Sequence, residues 1–174
     1  MSEDTSAQQS LRSLSAEDLE LFCRFLLDLA DDRRNFLIGF LSREAPQFIR
    51  RFEESLPSLQ KMIDLPPRFA QKLLQETSFD TLGWVLYGAD RDVVQFCGEN
   101  LSKRGRQILY EEVEKVRALR RRWRENERGE EKFRAKKKDK TLDFKLQLQV
   151  SLANTGAKKD ETPGSQAASG DRNT

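Results

Sequence analysis

The chain has 174 residues with a formal net charge of +2; 34% of the residues are charged, 37% are hydrophobic, and none is His. This length accommodates one domain of about 100 to 150 residues with extensions. Because His is the commonest general base near neutral pH and a frequent zinc ligand, its absence argues against most enzymes and metal sites. We therefore expect no enzymatic activity, no cofactor and no metal.

Residues 1–14 are polar and are predicted to form a disordered arm. The first helical pattern follows directly, since Ser15 with Asp18 three residues later is a variant of the capping box. From Leu19 onward, apolar residues recur every three or four positions in short runs separated by turn residues. Short helices joined by brief turns predict an all-α, compact right-angled stack of the kind seen in armadillo and HEAT arrays, with disordered tails at both ends.

The two cysteines, Cys23 and Cys97, lie in apolar helical patterns and have no partner at the spacing of a metal or redox motif. We expect both to be reduced core residues, which indicates a reducing compartment. The N-terminal residues lack the apolar stretch of a signal peptide, and no segment approaches the length of an apolar membrane span. A cytoplasmic location is therefore expected.

The clearest helical pattern runs from residue 65 to residue 113. Asp90 precedes an apolar run that would form one side of a helix, and Ser102 is expected to cap the helix that follows. In that following helix the apolar residues form a single stripe, so most of the charged residues face solvent or a partner.

This segment resembles the C-terminal part of the flagellar motor switch protein FliG family. The resemblance covers about residues 15–120 and implies an all-α, armadillo-like right-handed superhelix of short helices. It also implies a non-enzymatic interaction module that is a component or accessory of the bacterial flagellar motor, acting in motility and chemotaxis through helix stacking and a charged helix ridge. The non-apolar matches at fixed spacing include Gly88, Ala89, Asn100, Ser102, Lys103 and Arg104.

The resemblance implies partners and a location as well. The partners would be other flagellar motor or switch proteins, or the cytoplasmic loop of the stator. The location would be the cytoplasm, including peripheral association with the cytoplasmic face of the inner membrane at the flagellar basal body. The sequence carries no signal for the oligomeric state, for the host, or for torque generation as opposed to an accessory role.

In the family, charged residues on one helix meet opposite charges on the stator loop, which implies a partner-binding ridge of Arg104, Glu111 and Glu112 here. Arg104 and Glu111 are seven residues apart, so they share one side of a helix. The alternative is an ordinary solvated helix face, although the ion pairs on such faces contribute only a few tenths of a kcal/mol. The chain departs from the family at Tyr87, where the family has Lys, and this departure removes one charge from the surface.

Residues 121–140 carry dense charge of both signs and are predicted to form a charged helix extension or a linker. They support an alternative function, in which a helical scaffold uses the basic segment 117–140 to bind an anionic membrane surface, nucleic acid or an acidic partner. Nucleic acid is the least favoured of these because aromatic residues for base stacking are nearly missing. The basic patch would consist of Arg120, Arg121, Arg122, Lys136, Lys137 and Lys138.

Residues 141–174 are predicted to be a mostly disordered tail, with one exception. At 142–152 apolar and polar residues alternate with a period of two, which is typical of a strand. A lone strand in a helical protein has no hydrogen-bonding partner of its own. It would pair with a sheet edge of another molecule or remain disordered.

Overall fold

A computed structural model describes residues 15–124 and 127–157, and these residues fold into helices and the turns that join them. The α-helices of this part are α1 Ala16–Asp28, α2 Asp31–Glu44, α3 Pro46–Ser55, α4 Pro67–Glu76, α5 Phe79–Leu86, α6 Arg91–Glu99, α7 Lys103–Trp123 and α8 Glu127–Ala157. A 3-10 helix, Leu59–Asp64, joins α3 to α4. The all-α prediction is confirmed, whereas the armadillo-like superhelix stays a prediction.

The arm predicted for residues 1–14 and the end of the predicted tail, from residue 158 onward, lie outside the described residues. Within the described ranges, no helix combines the length and the apolar character that crossing a bilayer requires.

Two helices begin at the caps that the sequence predicts. The Ser15 hydroxyl accepts a hydrogen bond from the backbone N–H of Asp18 at 3.0 Å, and the backbone N–H of Ser15 donates to the Asp18 carboxylate at 3.3 Å. The Ser102 hydroxyl accepts from the backbone N–H of Gly105 at 3.1 Å. Asp90 occupies the cap position of α6, but its side chain makes no capping hydrogen bond. Side-chain capping therefore sets the starts of α1 and α7.

Three apolar clusters hold the described helices together. The large cluster unites the 3-10 helix with α4, α5, α6, α7 and α8; its fully buried members include Met62, Leu73, Leu82, Leu109, Phe144 and Leu148. The second, which we call the α1–α3 cluster, consists of Leu19, Cys23, Leu26, Phe52, Leu56 and Leu146. The third, the Trp84 cluster, joins α5, α7 and α8 through Trp84, Val116 and Phe133.

Both cysteines are free and buried, as the sequence predicts. Burial raises the pKa of the Cys23 thiol to about 12, and it raises the pKa of the Cys97 thiol to about 12 as well. Because the thiolate is the reactive form, both side chains are unreactive apolar members of the core at neutral pH.

The last helix, α8, overturns the prediction of a strand at 142–152. It packs against α1, α4, α5 and α7. Since residues two apart lie about 200° apart around an α-helix, an apolar pattern of period two forms two opposite rows. Phe144 and Leu148 belong to the large cluster, whereas Leu146 belongs to the α1–α3 cluster. The strand prediction is wrong because a helix that is buried on two sides shows the same alternation of apolar and polar residues as a half-buried strand.

The segment 121–140, for which the sequence predicts an extension or a linker, turns back onto the domain. After α7 ends at Trp123, α8 begins at Glu127 and runs back along α5 and α7. Arg120 and Glu130 form an ion pair across this turn. The ring of Phe133 lies edge-on to Trp123, with ring centroids 6.3 Å apart. The prediction that residues 141 onward form a disordered tail is likewise wrong as far as residue 157, where α8 ends.

A buried ion pair ties α8 to the N-terminal helices. Arg34 of α2 is 6% exposed, and its Nε lies 3.2 Å from Oδ1 of Asp143 on α8. The same guanidinium also pairs with Asp31 and donates to the carbonyl of Leu26 at 3.5 Å. Burial raises the pKa of Asp143, and Arg34 opposes this rise.

Candidate interaction surfaces

The predicted ridge lies on α7, the longest helix of the part that the FliG resemblance covers. Arg104 and Glu111 are both exposed, and their spacing of seven residues places them on one face of the helix. Glu111 accepts a hydrogen bond from Gln107 at 3.1 Å, and Tyr110 beside it is 46% exposed. This outer face therefore offers charges of both signs and an aromatic ring to solvent.

Glu112, the third residue predicted for the ridge, faces a different direction. Its side chain is only 20% exposed, and its carboxylate accepts from Lys115 at 2.5 Å. A Cβ placed on Gly83 of α5 would come within 2.9 Å of the Glu112 Cβ. Glu112 thus lies against the contact between α5 and α7, and the outward part of the ridge reduces to Arg104 and Glu111.

Large apolar side chains are also exposed on each of the first two helices. Leu21 and Phe25 on α1 are 66% and 50% exposed, and Phe36 and Phe40 on α2 are 71% and 43% exposed. Within each helix the two side chains are four residues apart, so they stack on one face. Solvent-exposed Phe in this number is unusual for a surface that faces only water.

Sequence reasoning expected an apolar contact surface somewhere in the helices between Ser15 and Leu86, but it did not single out these four side chains. The available signal was the width of the apolar arc on α2, where Phe36, Leu37, Phe40 and Leu41 occupy more than one face. A helix that packs on one side can bury only part of such an arc.

A metal site receives no support from the described residues, which contain no group of His, Cys, Asp and Glu side chains able to hold an ion.

Comparison with known proteins decides the family. The sequence profile of the FliG C-terminal domain matches residues 40–130, just over half of the chain. The chain belongs to the FliG C-terminal domain family. The match runs from the end of α2 to the beginning of α8, and it confirms the resemblance seen in the sequence.

One similar solved structure is that of full-length FliG from Aquifex aeolicus. It shares 21% sequence identity with this chain, at a TM-score of 0.39, and the alignment covers 92% of this chain and 44% of that one. The chain thus spans less than half the length of that FliG. No curated protein matches the chain significantly.

Most of the predicted basic patch is engaged within the FliG-like domain. Arg120 pairs with Glu130, and the ammonium of Lys138 lies 2.9 Å from a carboxylate oxygen of Glu53. Lys136 sits over the ring of Trp84, 4.9 Å from its centroid. These contacts hold α8 on the domain. The other members of the patch are the exposed Arg121 and Arg122, and Lys137.

Lys137 of α8 places its ammonium against Tyr87. Its ammonium donates a hydrogen bond to the carbonyl of Tyr87 at 2.5 Å and lies 5.2 Å from the centroid of the Tyr87 ring. Gly88 follows with a φ of 78°, a conformation that glycine adopts readily. Lys137 thus links α8, beyond the matched residues, to the turn that follows α5.

Proposed function

We propose that the chain is a non-enzymatic interaction protein of the bacterial flagellar motor, a component or accessory that binds other motor proteins by helix stacking. Membership in the FliG family supports the motor setting. The observation that carries the docking mechanism is the exposure of Leu21, Phe25, Phe36 and Phe40 on α1 and α2. Exposed apolar groups of this size favour burial against a partner.

The expected place of action is the cytoplasmic face of the inner membrane at the flagellar basal body. There the outer face of α7 would form a second contact, to another switch protein or to the cytoplasmic loop of the stator. Arg104 and Glu111 support this contact because both charges are exposed on one face. Such charges contribute mainly to the choice of partner and to the association rate.

The docking surface is tested by affinity capture of the full chain from its native cell, with the bound proteins identified by mass spectrometry. We expect the native sequence to capture flagellar motor proteins and the variant Phe36→Glu/Phe40→Glu to lose them. The matched control is Asn35→Glu/Ser42→Glu, which adds the same charge to exposed polar positions of α2. Equal recovery of motor proteins by both variants would contradict the assignment of this surface.

The ridge is tested by charge reversal at Arg104→Glu and Glu111→Lys. Because both side chains are exposed, we expect the free energy of unfolding to change by no more than about 0.5 kcal/mol. Capture of the partner or swimming of the cell should be impaired. Restored binding on opposite reversal of the partner's charges would identify the facing residues, whereas normal capture and normal swimming would remove the ridge from the proposal.

A further inference from the structure

A groove of about 690 Å³ lies where α8 passes the end of α3, the turn after α5 and the end of α7. Its apolar lining comes from Leu56, Phe133 and Leu142. Its polar lining contains five cationic and two anionic side chains, namely Arg120, Arg134, Lys137, Lys138, Lys145, Glu53 and Glu130. The groove therefore combines an apolar surface with an excess of positive charge, and most of its lining residues belong to α8.

The two carboxylates of the groove are already paired. Glu53 pairs with Lys138 at 2.9 Å, and Glu130 pairs with both Arg120 and Arg134, the latter at 3.2 Å. Any further anion in the groove would have to meet the remaining two cations.

These remaining cations are Lys137 and Lys145. The ammonium of Lys137 donates to the neutral carbonyl of Tyr87 and lies over the Tyr87 ring, and no carboxylate in the part of the chain that the structure describes pairs with it. No carboxylate among the described residues pairs with Lys145. Burial and the nearby Arg120 lower the pKa of Lys137, because both disfavour its charged form. A carboxylate bound in the groove would stabilise that charged form.

The spacing of these two lysines indicates the shape of the occupant. They are eight residues apart on α8, which corresponds to about 12 Å along the helix axis. Carboxylates spaced along a peptide match this separation, whereas a single phosphate is a smaller, compact anion. The arginines, which bind phosphate best through two parallel hydrogen bonds, are already bound to Glu130.

We propose that this groove binds an acidic peptide segment of a partner protein, with its carboxylates at Lys137 and Lys145 and an apolar side chain against Leu56, Phe133 and Leu142. The site lies mostly on the part of α8 that follows the family match, so it does not depend on the proposed docking of α1, α2 or α7.

The probe is a fluorescent amphipathic peptide of Glu and Leu, about 15 residues long, which as a helix would be about 22 Å long. Its binding to the full chain is followed by fluorescence anisotropy. We expect saturable binding that weakens with added salt, and weaker binding of the same peptide with Gln in place of Glu. Equal binding of the two peptides, or no binding of either, would overturn the proposal.

The variants locate the site. We expect Lys137→Gln/Lys145→Gln to weaken peptide binding at least tenfold, since two charge-assisted contacts are lost. The matched control, Lys72→Gln/Lys132→Gln, removes the same charge from exposed positions outside the groove and should change the affinity by less than about twofold. Equal losses in both double variants would show a non-specific charge effect and would contradict the site.

Because Lys137 also bonds to the backbone at Tyr87, its substitution could affect the fold as well as the site. Lys145 makes no described ion pair or hydrogen bond, so Lys145→Glu serves as the second variant. It should weaken peptide binding while leaving Tm unchanged; undiminished binding would count against the groove. Inorganic phosphate and vesicles of anionic phospholipid are tested in parallel. If vesicles bind and the peptide does not, and Lys145→Glu abolishes vesicle binding, the site recognises a membrane and the peptide proposal is wrong.

Discussion

The two longest helices, α7 and α8, are both rich in charge, yet they occupy different environments. α7 has one apolar stripe, with Leu109 and Val116 buried, and it keeps an outer face in solvent. The C-terminal half of α8 buries its own apolar side chains on two opposite sides, with Phe144 and Leu148 on one side and Leu146 on the other. One apolar stripe leaves a helix free to bind a partner, whereas two opposite stripes make a helix part of the core.

The charged side chains differ in the same way. Those on the outer face of α7 pair within their own helix, as Arg117 does with Glu114. On α8, Arg134 pairs with Glu130 of the same helix, but other charged side chains reach other helices, as Lys140 does to Asp80 at 3.0 Å and Lys138 to Glu53. Pairs within one exposed helix contribute little to folding, while pairs between helices help to fix the position of α8.

The largest effect on stability is expected from truncating the buried side chains in the two apolar rows of α8. Phe144→Ala should lower the free energy of unfolding by about 3–5 kcal/mol and Leu146→Ala by about 2–5 kcal/mol, because both side chains are fully buried. Urea unfolding followed by circular dichroism measures both values. Leu109→Ala, at a buried position of α7, is expected to lower the free energy of unfolding by a similar amount. Markedly smaller losses for the α8 variants would show that α8 is not part of the core as α7 is.

A smaller loss is expected where α5 approaches α7. In Gly83→Ala the new methyl group would lie 2.9 Å from the Glu112 Cβ and 3.0 Å from its carbonyl carbon, so one helix must shift. We expect a loss of about 1–3 kcal/mol in the free energy of unfolding, measured by denaturant titration.

Gly39→Ala is the matched control for that substitution. Gly39 lies inside α2, and a Cβ there meets nothing within 4 Å. Since alanine favours the helix over glycine, this variant should be more stable by about 0.5–1 kcal/mol. Destabilisation at Gly39 would show that α2 packs against a surface that the described residues do not contain.

The smallest expected effect is a pH dependence that arises from α8. A pKa that is higher in the fold than in the unfolded chain means that the fold binds the proton more tightly. The contribution of Asp143 to stability should therefore rise as pH falls through its raised pKa toward its ordinary value of 3.8.

Asp143→Asn removes this titration. The Tm of the variant relative to the native sequence should fall as the pH is lowered through that window, with Asp139→Asn as an exposed control on the same helix. A difference in Tm that does not vary with pH would show that Asp143 has the same pKa in the folded and unfolded chain.

Much of the fold was predictable because its causes are local. Ser15 and Ser102 cap their helices through bonds that span only three residues, so the chemistry is visible in the sequence. The periodicity of α7 is also readable, since a helix with one buried stripe has a single pattern. The path of α8 was not predictable, because alternation with a period of two fits both a strand with one buried face and a helix with two.

The candidate surfaces also differ in whether local sequence or the packing of distant helices determines them. The exposure of Arg104 and Glu111 on one helix face follows from their spacing, and it could be predicted. The inward position of Glu112 could not, because it depends on how closely α5 approaches at Gly83. The groove at Lys137 and Lys145 has no sequence signature, since its lining comes from the end of α3, the turn after α5, the end of α7 and α8.

By itself, the sequence determined the all-helical class, the helix starts, the FliG family and the two charges on the outer face of α7. These depend on contacts between residues a few positions apart or on a pattern that recurs in relatives. Only the tertiary structure decided that residues 142–152 form a buried helix and that Lys137 contacts Tyr87. The physical reason is that burial on both sides, and a contact across fifty residues, exist only after distant helices have packed together.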